Sequence, residues 1–295
     1  MIERIDISSL DDERVDVFRD VRDRDLRGRQ GMFMAESEMV VRRLLKTPEY
    51  LHSLLVTPAK YESLAADIDA SGLAVPVFIA SLQTMESIAG FHIHRGVLAA
   101  GWRPTEQDTS IERTYERVSQ KESCTILAAS GINNSDNMGG LFRTAAAFGV
   151  NEIILDNRCC DPLYRKAIRV SMGHVLSVQW SVTDDFAGSL NRLQSDFGFG
   201  ITAAESGVGG SSVRTWSGSP RCVLVVGAEG EGLSGDVLDV ADEVVEIPMS
   251  SEVPSLNVVV AAGVLKRVNL CIRFIVDMRC RYTWNVVRGN QRCRY

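Results

Sequence analysis

The stretch from residue 124 to 156 restricts the fold more than any other part of the chain. It opens with the apolar run CTILAAS (124–130), passes through a polar loop and an alanine-rich segment, and ends in EIILD (152–156). A short apolar run without alternation suits a strand covered on both faces, the situation inside a parallel sheet. The segment between, a helix expected near 138–148 and closed by Gly149, completes a strand-helix-strand unit. SVQW (177–180), GFGITAAE (198–205), CVLVVGAEGEGLS (222–234) and EVVEIPM (243–249) repeat the pattern, and a last helix is expected from about Leu256 to Leu270. An α/β fold follows.

Upstream lies a second, smaller unit. Residues 33–46, FMAESEMVVRRLLK, set Met39, Val40, Leu44 and Leu45 at helical spacing. HSLLVT (52–57) and PVFIA (76–80) read as strands around a helix, and FHIHRGVLAAGW (91–102) closes the unit. Residues 103–122 are polar and almost devoid of aliphatics, as a linker would be. The expected boundaries are therefore 1–102, a linker at 103–122, 123–270, and a basic tail at 271–295.

Composition narrows the class. With 45% apolar and 24% charged residues the chain reads as a soluble globular protein. It has no apolar run long enough for a membrane span, and its charged start, MIERIDISSLDDERVD, is no signal-peptide core. A cytoplasmic location is expected. A net charge of −6 argues against nonspecific coating of nucleic acid but leaves room for a local basic face. Arg19, Arg22, Arg24, Arg27 and Arg29 crowd together, yet Asp20, Asp23 and Asp25 alternate with them. A solvated helix of mixed charge and an RNA contact both fit that pattern.

The seven cysteines form no CxxC pair. The vicinal Cys159 and Cys160 fit either a redox pair or two reduced thiols, and the expected compartment favours the second. His92 and His94 alternate along an expected strand, but no neighbouring cysteine or carboxylate cluster completes a site, so no metal is expected.

Ligands of open α/β sheets bind beyond the carboxyl ends of the strands. Three loops there have unusual composition: NNSDNMGG (133–140) leading to Arg143, GAEGEGLS (227–234), and SSEVPSLN (250–257). The second lacks the GK[ST] ending of a phosphate loop, and no GxGxxG opens a helix after the first strand. Taken singly, each is ambiguous. Arg143 in LFRTAAAF reads as a solvated helix residue or a working guanidinium, and Glu229 as a cap of the next helical turn or a site carboxylate.

Taken together, the loops resemble the three motifs of the SpoU (TrmH-like) branch of the SPOUT methyltransferases. The matching residues are Asn137, Gly139, Arg143, Thr144 and Ala145; then Gly227, Glu229, Gly230, Gly232 and Leu233; then Ile247, Pro248, Met249, Ser255, Leu256 and Asn257. DPLYRKAIRVSMG (161–173) is similar to the segment between the motifs, and the likeness covers about residues 124–266. GRQGMFMAESEMVVRRLL (28–45) and HRGVLA (94–99) resemble the small substrate-binding domain carried by many ribosomal-RNA methyltransferases of this branch.

The resemblance implies a parallel-sheet SPOUT domain with a trefoil knot, an N-terminal α/β RNA-binding domain, and a homodimer. It implies S-adenosylmethionine held by Gly227, Ala228, Glu229, Gly230, Gly232, Ile247, Met249 and Leu256. The implied reaction is methylation of a ribose 2′-hydroxyl of RNA, ribosomal rather than transfer RNA, with Asn137, Arg143, Glu229, Ser255 and Asn257 at the reacting centre. Arg143 would position a phosphate and stabilise oxyanion character; a guanidinium stays protonated and makes a poor base. Asn137 and Asn257 would hold loop geometry and the sugar, Ser255 would orient a phosphate or Arg143, and Arg165, Lys166 and Arg169 are the RNA-facing candidates.

Three features depart from the pattern. Ser251 stands where glycine is usual, Pro254 stands where an acidic residue is common, and the chain runs on past the last helix with a basic, aromatic-bearing tail. The alternatives are a transfer-RNA methyltransferase and a noncatalytic RNA-binding or assembly factor on the same fold.

Overall fold

The computed structural model describes residues 4–19, 31–72, 75–93, 95–250, 252–253 and 255–268. Arg22, Arg24, Arg27, Arg29, His94, Ser251, Pro254 and the tail at 271–295 lie outside the described residues.

The first unit is a five-stranded sheet made of β1 (Arg4–Asp6), β2 (Met32–Glu36), β3 (Leu51–Val56), β4 (Val77–Ile79) and β5 (Val97–Trp102). Its order is β1-β4-β3-β5-β2, with β1, β4 and β3 parallel and β5 antiparallel to both β3 and β2. Both faces are apolar. Along β5, Val97 and Ala99 enter one core while Leu98 and Ala100 enter the other, as the two-residue period of a strand requires.

Two expectations fail in this unit. The helical reading of 33–46 is wrong at its start: residues 32–36 pair with β5 from Met32 opposite Trp102 to Glu36 opposite Leu98, and the helix occupies only Glu38–Leu44. Phe33 and Ala35 feed one core, Met32 and Met34 the other, so the segment alternates like a strand. His92 also lies outside any strand. It precedes β5 and places Nδ1 2.5 Å from Glu86 Oε1.

The second unit contains β6 (Cys124–Ala129), β7 (Glu152–Asp156), β8 (Gln179–Thr183), β9 (Gly200–Ala204), β10 (Ser211–Ser212), β11 (Arg221–Val226) and β12 (Glu243–Glu246). All are parallel, in the order β10-β12-β9-β11-β6-β7-β8. β6, β7 and the interior of β11 are buried along their length, matching their uninterrupted apolar sequences. Helices Ser135–Ala147 and Arg165–Val170, with the helix over 258–268, cover one face; Phe186–Phe197 and Gly235–Val240 cover the other.

Residues 103–122 are more than a linker. Helix Ile111–Val118 packs Tyr115 and Val118 into the second sheet's core, and Arg117 grips the fully buried Glu152 through Nε–Oε1 (2.9 Å) and Nη2–Oε2 (2.8 Å). Ile111, Tyr115 and Val118 follow the i, i+4, i+7 spacing of a helix face, which the polar residues between them obscure. The units themselves share an apolar core running from Phe33, Val40 and Leu44 to Ala167, Ile168 and Val175. Arg103 adds an ion pair to the buried Asp161 at 2.6 Å.

Candidate active site

The site is assembled from the loops after β6, β9, β11 and β12. The first is held by Asp156 at the end of β7. Its carboxylate accepts from Ser130 Oγ (2.8 Å) and Gly131 N (2.9 Å). Burial alone would raise the Asp156 pKa, but these bonds, with those from Cys159 and Arg158, outweigh it and leave the group below its ordinary value. Cys159 belongs to the same anchor, accepting from Ile132 N at 3.3 Å, and burial raises its thiol pKa. Asn134 then caps the next helix by accepting from Asp136 N at 2.7 Å.

That helix begins at Ser135, three residues earlier than the sequence suggests, so Asn137 lies in its first turn. Gly139 is helical too. A Cβ there would meet Ala167 O at 2.6 Å, and the glycine serves the close approach of helix Arg165–Val170.

Asn137, Glu229 and Asn257 meet although they are far apart in sequence. Asn137 Nδ2 donates to Glu229 Oε1 (3.0 Å), Asn257 Nδ2 donates to the same oxygen (2.9 Å), and Asn257 Nδ2 also donates to Asn137 Oδ1 (2.8 Å). Asn257 Oδ1 accepts from Val259 N at 3.0 Å and so caps the helix over 258–268. One carboxylate receiving two amides ties three loops at a single point. Glu229 does not cap the following helix, which starts after Ser234.

Beside this junction is a cleft of about 430 Å³. Gly227, Ala228, Glu229, Gly230, Gly232, Ile247, Met249 and Leu256 all line it, and so does Ser255. Much of its lining is apolar, with Val226, Val245 and Val258 joining Ile247 and Leu256. Sequence reasoning missed Glu205, at the end of β9. Its Oε2 accepts from Leu233 N (2.7 Å) and Oε1 from Ser206 N (3.3 Å), so it clamps the second loop while facing the cleft. The signal was present in GFGITAAE, whose single acidic residue follows directly on an apolar strand. Gly232 explains itself through this clamp: its φ is +68°, and a Cβ would lie 2.6 Å from Glu205 Oε2.

The basic candidates divide. Arg143 is exposed, on the same helix as Asn137 but about 9 Å further along and about 120° around it. Among the described residues no hydrogen bond links it to Asn137, Glu229, Asn257 or Ser255, so Ser255 does not orient Arg143 within one chain. Arg165 stacks on Phe91 of the first unit, 4.0 Å from guanidinium carbon to ring centre, and so braces the junction rather than facing solvent. Lys166 pairs with Asp136 at 2.7 Å, while Arg169 is exposed.

Residues 125–266 match the SpoU rRNA methylase family. A Mycobacterium tuberculosis protein named as an uncharacterized tRNA/rRNA methyltransferase is 34% identical over 265 residues, covering 88% of each chain. The chain belongs to the SpoU family. It is an RNA methyltransferase. Another relative of this SpoU methylase is the 23S rRNA (guanosine-2′-O-)-methyltransferase RlmB of Acinetobacter baylyi, 28% identical over 66% of this chain and 77% of that protein. The AdoMet-bound rRNA methyltransferase of Sinorhizobium meliloti shares the fold, with a TM-score of 0.72 at 23% identity over 90% of this chain and 97% of that one.

Proposed function

We propose that this SpoU methylase transfers a methyl group from S-adenosylmethionine to a ribose 2′-hydroxyl of ribosomal RNA. The observation that carries the reading is the cleft walled by three loops and closed at one side by the Asn137–Glu229–Asn257 junction. Its residues fit the cofactor. The volume suits a ligand of that size, Ile247, Met249 and Leu256 suit a flat purine, and Glu205 and Glu229 suit a cation. When bound, S-adenosylmethionine supplies a methyl group on a positively charged sulfur.

The chain's own residues supply orientation and charge. Glu229 Oε1 is committed to the two asparagines, which fixes the carboxylate and turns both amides. Asn137 and Asn257 thereby hold a sugar edge in one geometry, the condition for in-line transfer. Arg143, permanently charged, clamps an RNA phosphate and stabilises negative charge at the 2′-oxygen. Since Arg143 turns away from its own chain's junction, a second copy supplies it. Val253, within the third loop, and Val260, on the helix behind it, are both exposed and suit a homodimer interface. A trefoil knot in the C-terminal part of the parallel-sheet unit belongs to the same reading.

The choice of ribosomal RNA is supported by the matched family and the relative named RlmB. Labelled S-adenosylmethionine offered with unmodified ribosomal or transfer RNA tests it. Label in the ribosomal pool is expected; label confined to transfer RNA overturns the substrate, and no cofactor binding at all overturns the enzyme reading.

A further inference from the structure

Helix Glu38–Leu44 of the first unit ends in two adjacent arginines with opposite fates. Arg42 is neutralised, by Glu38 at 2.7 Å and by Asp67. Arg43 reaches across the junction instead, where its Nε donates to Met172 O at 2.8 Å. Among the described residues that is the one hydrogen bond of its side chain, and neither terminal nitrogen meets a carboxylate.

The turn beneath Arg43 is specially built. Met172 (φ +54°) and Gly173 (φ +80°) are both left-handed, which is uncommon for a methionine. The turn is pinned by Gly173 N to Ile168 O (2.8 Å) and His174 N to Ser171 O (3.0 Å). Arg43 Cδ lies 3.1 Å from where a Cβ on Gly173 would stand, so the arginine stem lies flat over the bend. His174 follows at once, opening the short helical turn His174–Leu176, which packs on the helix bearing Arg143.

Three basic groups from two units thus converge. The His174 pKa lies below its ordinary value, through burial first, then the positive charges of Arg43 and Arg143. Among the described residues the Arg143 side chain has no hydrogen bond or ion pair, and no carboxylate stands within ion-pair distance of any of the three. The two guanidiniums stand without a counterion beside an imidazole whose lowered pKa leaves it a neutral N–H donor, and an anion is the missing component. Guanidinium forks suit the paired oxygens of a phosphodiester.

We propose that Arg43, His174 and Arg143 form a binding site for one phosphate of the RNA backbone, set across the junction of the two units. The proposal rests on the RNA-methyltransferase reading of the cleft. It gives the first unit a direct hold on substrate through Arg43, beside the helix that carries Arg143, and it gives the packed junction a purpose.

The test is binding of an unmodified ribosomal-RNA fragment to the full chain without cofactor, by fluorescence anisotropy over a series of salt concentrations. Arg43→Met keeps the stem over Gly173 and removes the charge. It should weaken binding about tenfold and lower the slope of log affinity against log salt by about 1. Arg43→Lys restores charge without the Nε bond and should recover the slope. Combined with Arg143→Ala, Arg43→Met should cost less than the sum of the two, as for residues sharing one ligand group. The site is overturned by an unchanged slope in Arg43→Met, by strict additivity, or by Arg43→Lys behaving like Arg43→Met. Calorimetric binding of S-adenosylmethionine should be the same in all variants. An unaltered chain that binds the cofactor but no RNA would sink the substrate reading itself, a result distinct from failure of Arg43 alone.

Discussion

The two sheets solve different problems. The second is wholly parallel, so its loops emerge together at the carboxyl ends of β6, β9, β11 and β12, and these build the cleft and the Asn137–Glu229–Asn257 junction. The first is mixed, and its strands are short or paired in both senses. Its contribution is a shared apolar core and side chains such as Arg43 and Phe91 that reach the second unit. A parallel sheet collects loops at one end and so makes a site. A mixed sheet distributes them and, here, makes a holder.

The largest break in that division should come from Arg143→Ala. We expect turnover to fall by about 10²–10³-fold, the scale of losing one preorganised charge partner, while S-adenosylmethionine affinity stays within about twofold. Single-turnover methylation and calorimetry measure the two separately. Mixing Arg143→Ala with Asn137→Ala chains should restore activity that neither has alone, because a twofold pair then contains one intact site. Failure to complement would return Arg143 to its own chain's cleft.

Arg117→Ala tests whether the polar stretch belongs to the second unit. It leaves Glu152, which is fully buried, without its guanidinium. A loss of about 3 kcal/mol is expected in chemical denaturation. A loss near zero would make 103–122 the linker that its composition suggests.

Glu205→Ala should weaken cofactor binding about tenfold through the freed Leu233 amide, since an unmet buried donor costs about 1–3 kcal/mol. Glu205→Gln, which keeps one acceptor oxygen, should lose less. Equal losses in both would show that charge, not the loop clamp, is what matters.

The smallest effect concerns the first unit alone. Hydrogen bonds from Lys60, Arg42 and Ser63 lower the Glu38 pKa from 4.5 to about 2. A depressed carboxyl stabilises the fold fully above pH 4.5 and loses that contribution as pH falls towards 2. Melting temperatures of the unaltered chain and Glu38→Gln should therefore converge near pH 2 and separate modestly above 4.5, because salt and solvent screen a half-exposed network. A constant gap across that range would contradict the assignment.

The same contrast explains what could be read from sequence. CTILAA, EIILD and CVLVV are buried on both faces, so their apolar runs announce them, and the loops behind them carry their unusual residues in the open. Residues 32–36 are buried on both faces too, but Glu36 and the helix directly behind blurred the strand into a helical pattern. Ile111–Val118 was hidden by its polar face. The pairing of Glu229 with both asparagines, the Glu205 clamp and Arg43 across the junction depend on residues 28 to 129 positions apart, and no local pattern encodes such distances. Arg165 illustrates the reverse: a basic residue judged by its neighbours in sequence proves to be committed to Phe91 in space.

Alkaline hydrolysis of the product tests most directly where the methyl group goes. Unmodified ribosomal RNA, methylated with label from S-adenosylmethionine, should be hydrolysed in alkali and its products sized. A 2′-O-methyl group removes the hydroxyl that attacks the neighbouring phosphodiester, so label is expected in alkali-resistant dinucleotides. Label in mononucleotides would place the methyl on a base and contradict it.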